Sequence, residues 1–110
     1  MKAMEKKTGT EQKEQRAEAT PPIDVYENDQ EFLLVADMPG VSQGEAEVSL
    51  EEDRLVVRAK SPFRRYHREL LVPPSVDGEH VSAAMKAGVL TVHLPKRAPY
   101  RPRQIEVRGT

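Results

Sequence analysis

Beyond residue 20 the chain alternates apolar and polar residues with a period of two, and each alternating run ends at proline, glycine or a polar turn pair. That period belongs to strands with one buried face. Ile23-Asp24-Val25-Tyr26-Glu27 alternates up to the turn pair Asn28-Asp29. Phe32-Leu33-Leu34-Val35-Ala36 is apolar at every position, predicting a strand covered on both faces, and Met38-Pro39-Gly40 breaks it. Val48 and Leu50 fall on one side of Glu45 to Glu51, and Glu52-Asp53 turns the chain into Arg54 to Lys60, closed by Ser61-Pro62. Arg64 to Val72 is basic at its start and apolar at its end, where Pro73-Pro74 stops it. Val81, Ala83 and Met85 alternate with small or charged residues, Ala87-Gly88 makes a turn, and Leu90, Val92 and Leu94 line one side of the run that Pro95 ends. Strands at such short intervals, with no amphipathic helix among them, predict an all-β antiparallel sandwich.

The two ends read differently. Residues 1–20 hold only Met and Ala as apolar types among Lys, Glu, Gln and Thr, too little to offset the entropy of ordering, and are expected to be a disordered polar arm. Thr20-Pro21-Pro22 marks the start of the folded domain, which spans residues 21–96. Residues 97–110 form a C-terminal extension, whose Pro- and Arg-rich linker Arg97 to Arg103 spans about 22 Å when extended at roughly 3.1 Å per residue. Beyond it Ile105 and Val107, separated by Glu106, can dock as an added strand with both side chains in one groove. The reach allows either the chain's own groove or a neighbour's.

Composition narrows the chemistry. In 110 residues there is room for one modest core, built from Val, Leu, Ile and Ala because Trp is absent and Phe and Tyr are few. The 17 basic and 18 acidic residues nearly cancel, which argues against a dedicated nucleic-acid or anionic-membrane surface. Without cysteine there is no thiolate nucleophile, disulfide framework or Cys-ligated zinc, in keeping with the reducing cytoplasm. His67, His80 and His93 fall on separate segments and read as structural or surface groups rather than metal ligands. No serine has a nucleophile-elbow context and no glycine-rich phosphate loop exists, so an enzyme and a cofactor are not expected. The cluster Arg58, Lys60, Arg64, Arg65 and Arg68 is a candidate nucleic-acid surface, but a solvated face or dimer edge is the favoured reading.

Ala83-Ala84-Met85-Lys86-Ala87-Gly88-Val89-Leu90 resembles the A-x-x-x-N-G-V-L signature of the small heat-shock proteins and their α-crystallin domain, with Ala87 in place of the usual Asn. Pro22 to Glu27 and Val35 to Val41 resemble that family's opening strands and proline-glycine turn, Tyr66 to Pro73 its strand ending in Leu-Pro, and Ile105-Glu106-Val107 its C-terminal I-x-I/V motif. The similarity runs in order from residue 22 to 110.

The resemblance implies an immunoglobulin-like sandwich and an ATP-independent holdase chaperone that binds unfolding client proteins and limits their aggregation. An apolar groove of Val48, Leu50, Val81, Ala83 and Met85 would take Ile105 and Val107 from a neighbouring chain, and client strands could compete for it. The alternative is an adaptor or co-assembling subunit that binds one specific partner through the same sandwich and tail. Many relatives carry a long loop with a strand exchanged between subunits. Only Ser61-Pro62-Phe63-Arg64 stands at that point here, so no swapped dimer of that kind is expected. Antiparallel pairing through Arg64, Tyr66 and Arg68 at a dimer edge is the surviving option, at the cost of opposed like charges unless Glu69 intervenes. With a polar arm as well, the expectation is a monomer, a small assembly, or a subunit that co-assembles with a related small heat-shock protein, with neither nucleic acid nor membrane as a partner.

Overall fold

The computed structural model describes residues 17–109. Eight strands form two four-stranded sheets: β1 (Ala17–Ala19), β2 (Ile23–Glu27), β3 (Glu31–Asp37), β4 (Ala46–Glu51), β5 (Arg54–Lys60), β6 (Arg64–Leu71), β7 (Ser82–Lys86) and β8 (Val89–Pro95). One sheet has the order β1-β6-β5-β4 and the other β2-β3-β8-β7. All pairings are antiparallel except β1 with β6, which is parallel. Every segment that the alternating pattern predicted as a strand between Ile23 and Pro95 is one.

The period of two sorts the core. Leu34 and Ala36 of β3, Leu55, Val57 and Ala59 of β5, and Leu90, Val92 and Leu94 of β8 face inward and are buried, with Tyr66 of β6 and the loop residues Met38, Val41 and Val76 closing the sandwich. Each fully buried Leu or Val contributes roughly 1.5–3 kcal/mol relative to exposure. The expectation that β3 is covered on both faces is corrected. Leu34 and Ala36 are buried, while Leu33 and Val35 on the opposite face are only half-buried, their cross-strand neighbours being Tyr26, His93, Asp24 and Thr91. Continuous apolarity here reflects a central strand flanked by β2 and β8, not a second covering layer.

Three local features fix the sheets in place. The β7–β8 hairpin turns through Ala87 and Gly88 at positive φ, 52° and 78°, the backbone of a two-residue turn that matches strand twist. A Cβ on Gly88 would stand 3.2 Å from Met38 O and Pro39 Cα, and Met38 N–H donates to Gly88 O at 2.7 Å. Between β5 and β6 the chain reverses within residues 61–63, where Ser61 Oγ accepts from Arg64 N at 3.0 Å and Phe63 N at 3.3 Å. At the exit of β8, Lys96 is 9% exposed, with its Nζ 2.7 Å from Glu27 Oε2 and 5.0 Å from the Phe32 ring centroid. A buried ammonium is tolerable only with such partners.

The polar arm expected over residues 1–20 lies outside the described residues up to 16, but its last part differs from expectation. Ala17, Glu18 and Ala19 pair in parallel with Arg64, Arg65 and Tyr66. Pro21 is fully buried, and its carbonyl accepts from Arg68 Nη1 at 3.1 Å, so the chain crosses from one sheet to the other on an arginine bracket.

Candidate functional site

β4 ends one sheet and β7 ends the other, and the two edges lie side by side along one flank of the sandwich. Between them runs a groove of about 210 Å³ lined by Gln43, Ala46, Val48, Ala83, Ala84, Met85 and Leu90. Its walls follow from local sequence. Ala46 and Val48 project the same way by strand parity, and the short side chains of Ala83 and Ala84 leave the β7 wall low. Leu90, directly across from Met85 in the hairpin, forms a buried floor. Met85 and Val48 are half-buried and Ala83 is exposed, so apolar surface remains available for a further strand.

Of the five residues predicted for the groove, the structure brings Val48, Ala83 and Met85 together, but Leu50 and Val81 pack against the core and do not line it. The reason is a single 3-10 turn, Gly78–His80, just before β7. A Cβ on Gly78 would stand 3.0 Å from Leu50 Cδ2, so the turn closes over Leu50 and ends the groove there. Gln43, Ala46, Ala84 and Leu90 were not legible as lining residues, although Ala46 shares the parity of Val48 and Leu90 follows Met85 around a two-residue turn. The same 3-10 turn is held by Asp77, whose Oδ1 accepts from Glu79 N at 3.1 Å and whose Oδ2 accepts from His80 Nδ1 at 2.8 Å. The bond from His80, then that from the Glu79 amide, holds the Asp77 carboxyl below its ordinary pKa.

The tail does not sit in this groove. Ile105 and Val107 are 75% and 90% exposed and belong to no strand. The linker is also shorter than an extended chain would be. Ala98–Tyr100 forms a 3-10 turn, Arg97 Nε donates to Val76 O at 3.1 Å, and Arg101 Nε donates to Lys96 O at 2.9 Å. The extension is thus pinned to the domain as far as Arg101.

The predicted dimer edge is rearranged. Tyr66 is a core residue, 4% exposed, with its hydroxyl donating to Pro39 O at 3.2 Å, because strand parity turns Arg64, Tyr66 and Arg68 to the inner side of β6. Arg64 and Tyr66 pair with β1, and Arg68 holds Pro21. The basic cluster is split by the same parity. Arg58, Lys60 and Arg65 face outward with Glu18, Glu45, Glu47 and His67 around them. Lys60 Nζ lies 3.7 Å from Glu45 Oε2, and further along that face Arg54 Nη1 lies 3.2 Å from Glu69 Oε1. Cations so interleaved with acids make a solvated, nearly neutral face. The three histidines sit apart, each beside its own carboxylate: His67 with Glu69, His80 with Asp77 and His93 with Glu31. Among the described residues no three His, Cys, Asp or Glu side chains gather as a metal site, and no helix is long and apolar enough to cross a membrane.

This arrangement has close counterparts. The Hsp20/alpha crystallin family matches residues 24–108. The probable 15 kDa heat shock protein of Leptospira interrogans is 35% identical over 93% of this chain and 89% of its own. A 17.0 kDa class II heat shock protein of Zea mays is 31% identical over 92% of this chain and 78% of its own. In structure, a small heat-shock protein from Xylella fastidiosa, described as having a distinct high order structure, superposes with a TM-score of 0.66 at 28% identity, covering 81% of this chain and 96% of that one. With a two-sheet sandwich, a signature hairpin and a family match that runs from the second strand into the tail, this chain belongs to the Hsp20/alpha crystallin family and is a small heat-shock protein, a chaperone.

Proposed function

We propose that the chain is an ATP-independent holdase that takes extended apolar segments of unfolding proteins into the β4–β7 groove, and that Ile105 and Val107 of a neighbouring copy or related subunit occupy the same groove when no client is present. The observation that carries this reading is the pairing, among the described residues, of an open apolar groove with an undocked tail in one chain. Reach favours a neighbour's groove. From the Arg101 anchor to Ile105 an extended chain covers about 12 Å. From Lys96 back along β8 to Leu90, the groove floor, is about 20 Å. With Arg101 holding the linker, this shorter reach favours a neighbour's groove over the chain's own.

Holding a client requires no bond to be made or broken, so the protein acts as a binder rather than an enzyme, without cofactor, metal, nucleic acid or membrane. The cysteine-free sequence suits work in the cytoplasm. No structural feature singles out the adaptor alternative, since a shallow groove of small side chains selects strands by apolarity rather than by a specific charge. Light scattering of a heated client tests the proposal. A stoichiometric amount of the protein suppresses aggregation, and Ala83→Arg with Met85→Arg, which fill the groove with charge, abolishes that suppression. Unchanged suppression by the variant removes the groove from client binding, and no suppression by the parent removes the holdase.

A further inference from the structure

We propose that β2 is a self-complementary edge through which two copies join, continuing β2-β3-β8-β7 into the same sheet of a second chain. The proposal does not depend on the groove.

Among the described residues β2 is a sheet edge, and the ladder parity is fixed by the bonds at its two ends. Asp37 N–H donates to Pro22 O at 3.3 Å and Asn28 N–H donates to Glu31 O at 3.0 Å. Even-numbered residues therefore direct their backbone groups toward β3, and the N–H and C=O groups of Ile23, Val25 and Glu27 point away from the sheet. Unmade backbone bonds on an open edge are a template for another strand. Val25 and Tyr26 are 57% and 56% exposed there. The other three edges are less available. β4 and β7 border the groove, and β1 is only three residues long.

The register identifies a second β2 as the occupant. Antiparallel pairing about a two-fold axis at Val25 sets Val25 against Val25, Ile23 against Glu27 and Asp24 against Tyr26 of the other copy. Every outward N–H and C=O of the strand then finds a partner. No like charges oppose: Glu27 is already neutralised by Lys96, and Asp24 faces a phenol that can donate to it. The registers displaced to either side are worse. One sets Asp24 against Asp24, and the other carries Ile23 past the end of the partner's strand and leaves its outward N–H and C=O unpaired. A five-residue strand pair is small, so the association is weak and concentration-dependent.

Because the axis passes through residue 25, three substitutions there test the idea in a chain that also carries Ile105→Gly and Val107→Gly, which removes tail-mediated assembly. Directly opposed hydrogen-bonded residues have Cα atoms about 5.5 Å apart, within disulfide range. In this cysteine-free sequence, Val25→Cys is expected to oxidise to a covalent dimer at least about tenfold faster than Phe63→Cys, a control thiol at an exposed hairpin tip. Val25→Lys and Val25→Glu each lose the self-association seen by sedimentation, and their equimolar mixture regains it as a heterodimer. Circular dichroism establishes that each variant folds. Cross-linking of Val25→Cys no faster than the control, or a mixture of folded Lys and Glu variants that stays monomeric where the parent sequence associates, overturns the proposal.

Discussion

Ala87 holds a backbone conformation that its side chain disfavours. Its φ of 52° places Cβ against its own backbone, at a position where the family signature usually has Asn and where Gly would have no clash at all. Gly88 beside it has no such freedom to change, because Met38 O and Pro39 Cα occupy the space a Cβ would need. The two residues of one turn thus respond oppositely to substitution. Ala87→Gly is expected to stabilise the fold by about 0.5–1 kcal/mol, read as a higher urea midpoint at unchanged slope, and Ala87→Asn to do so in the same direction. A lower midpoint for both variants would show that the Ala87 methyl makes a contact outweighing its strain. Glu52, at φ 59° in the β4–β5 turn, is strained in the same way but lies in an exposed hairpin.

Elements carry the consequences that single residues do not. The 3-10 turn Gly78–His80 both launches β7 and closes the groove over Leu50, and it depends on the Asp77 carboxylate. The folded state holds the Asp77 pKa below its ordinary value, so it binds the proton less readily than the unfolded chain. The stabilising contribution is therefore complete above the ordinary aspartate pKa and is lost as the pH falls through it toward the folded value. Asp77→Asn keeps an acceptor for the Glu79 amide but loses the charge facing His80, so its urea midpoint should fall less steeply than the parent's between neutral pH and about pH 3. Parallel acid limbs in the two proteins would place the acid sensitivity elsewhere.

Elements also show where sequence reading stops. The strands from β2 to β8 were legible because each buries one face, and a period of two is written into residues such as Leu90, Val92 and Leu94. β1 was not, because Ala-Glu-Ala carries no strand signal of its own. Its pairing depends on β6 and on the bracket from Arg68 to Pro21, which are distant in sequence. Half of the groove was legible for the same reason as the core. Leu50 was misassigned because a glycine at 78, on another segment, covers it. Tyr66 read as an edge residue because strand parity does not say which side of β6 faces the core. The linker read as extended from its prolines, but the bonds from Arg97 and Arg101 to distant carbonyls fold it back.

At the scale of the whole molecule, the pinned linker decides what the tail can do. An extension free from Arg97 onward could swing between its own groove and a neighbour's. One anchored at Arg101 presents Ile105 and Val107 outward, where they are 75% and 90% exposed and, on the proposed reading, meet a second molecule's groove. Replacing both with glycine removes the two side chains proposed to enter the groove, without touching the core or β2. The expected outcome is a lower mass by light scattering at every concentration where the parent assembles, together with an unchanged urea midpoint at dilutions where the parent is dissociated, since neither side chain contributes to the folded domain. Releasing the anchor has a separate signature. Arg101→Ala frees the linker from Lys96 O and lengthens the reach to Ile105 from about 12 Å, counted from Arg101, toward about 25 Å, counted from Arg97, so that a chain can close on its own groove and assembly becomes weaker although Ile105 and Val107 are intact. Mass lost in the glycine variant but retained in Arg101→Ala would mean that the tail is essential and the anchor is not, and mass unchanged in both would leave β2 as the contact that builds the assembly.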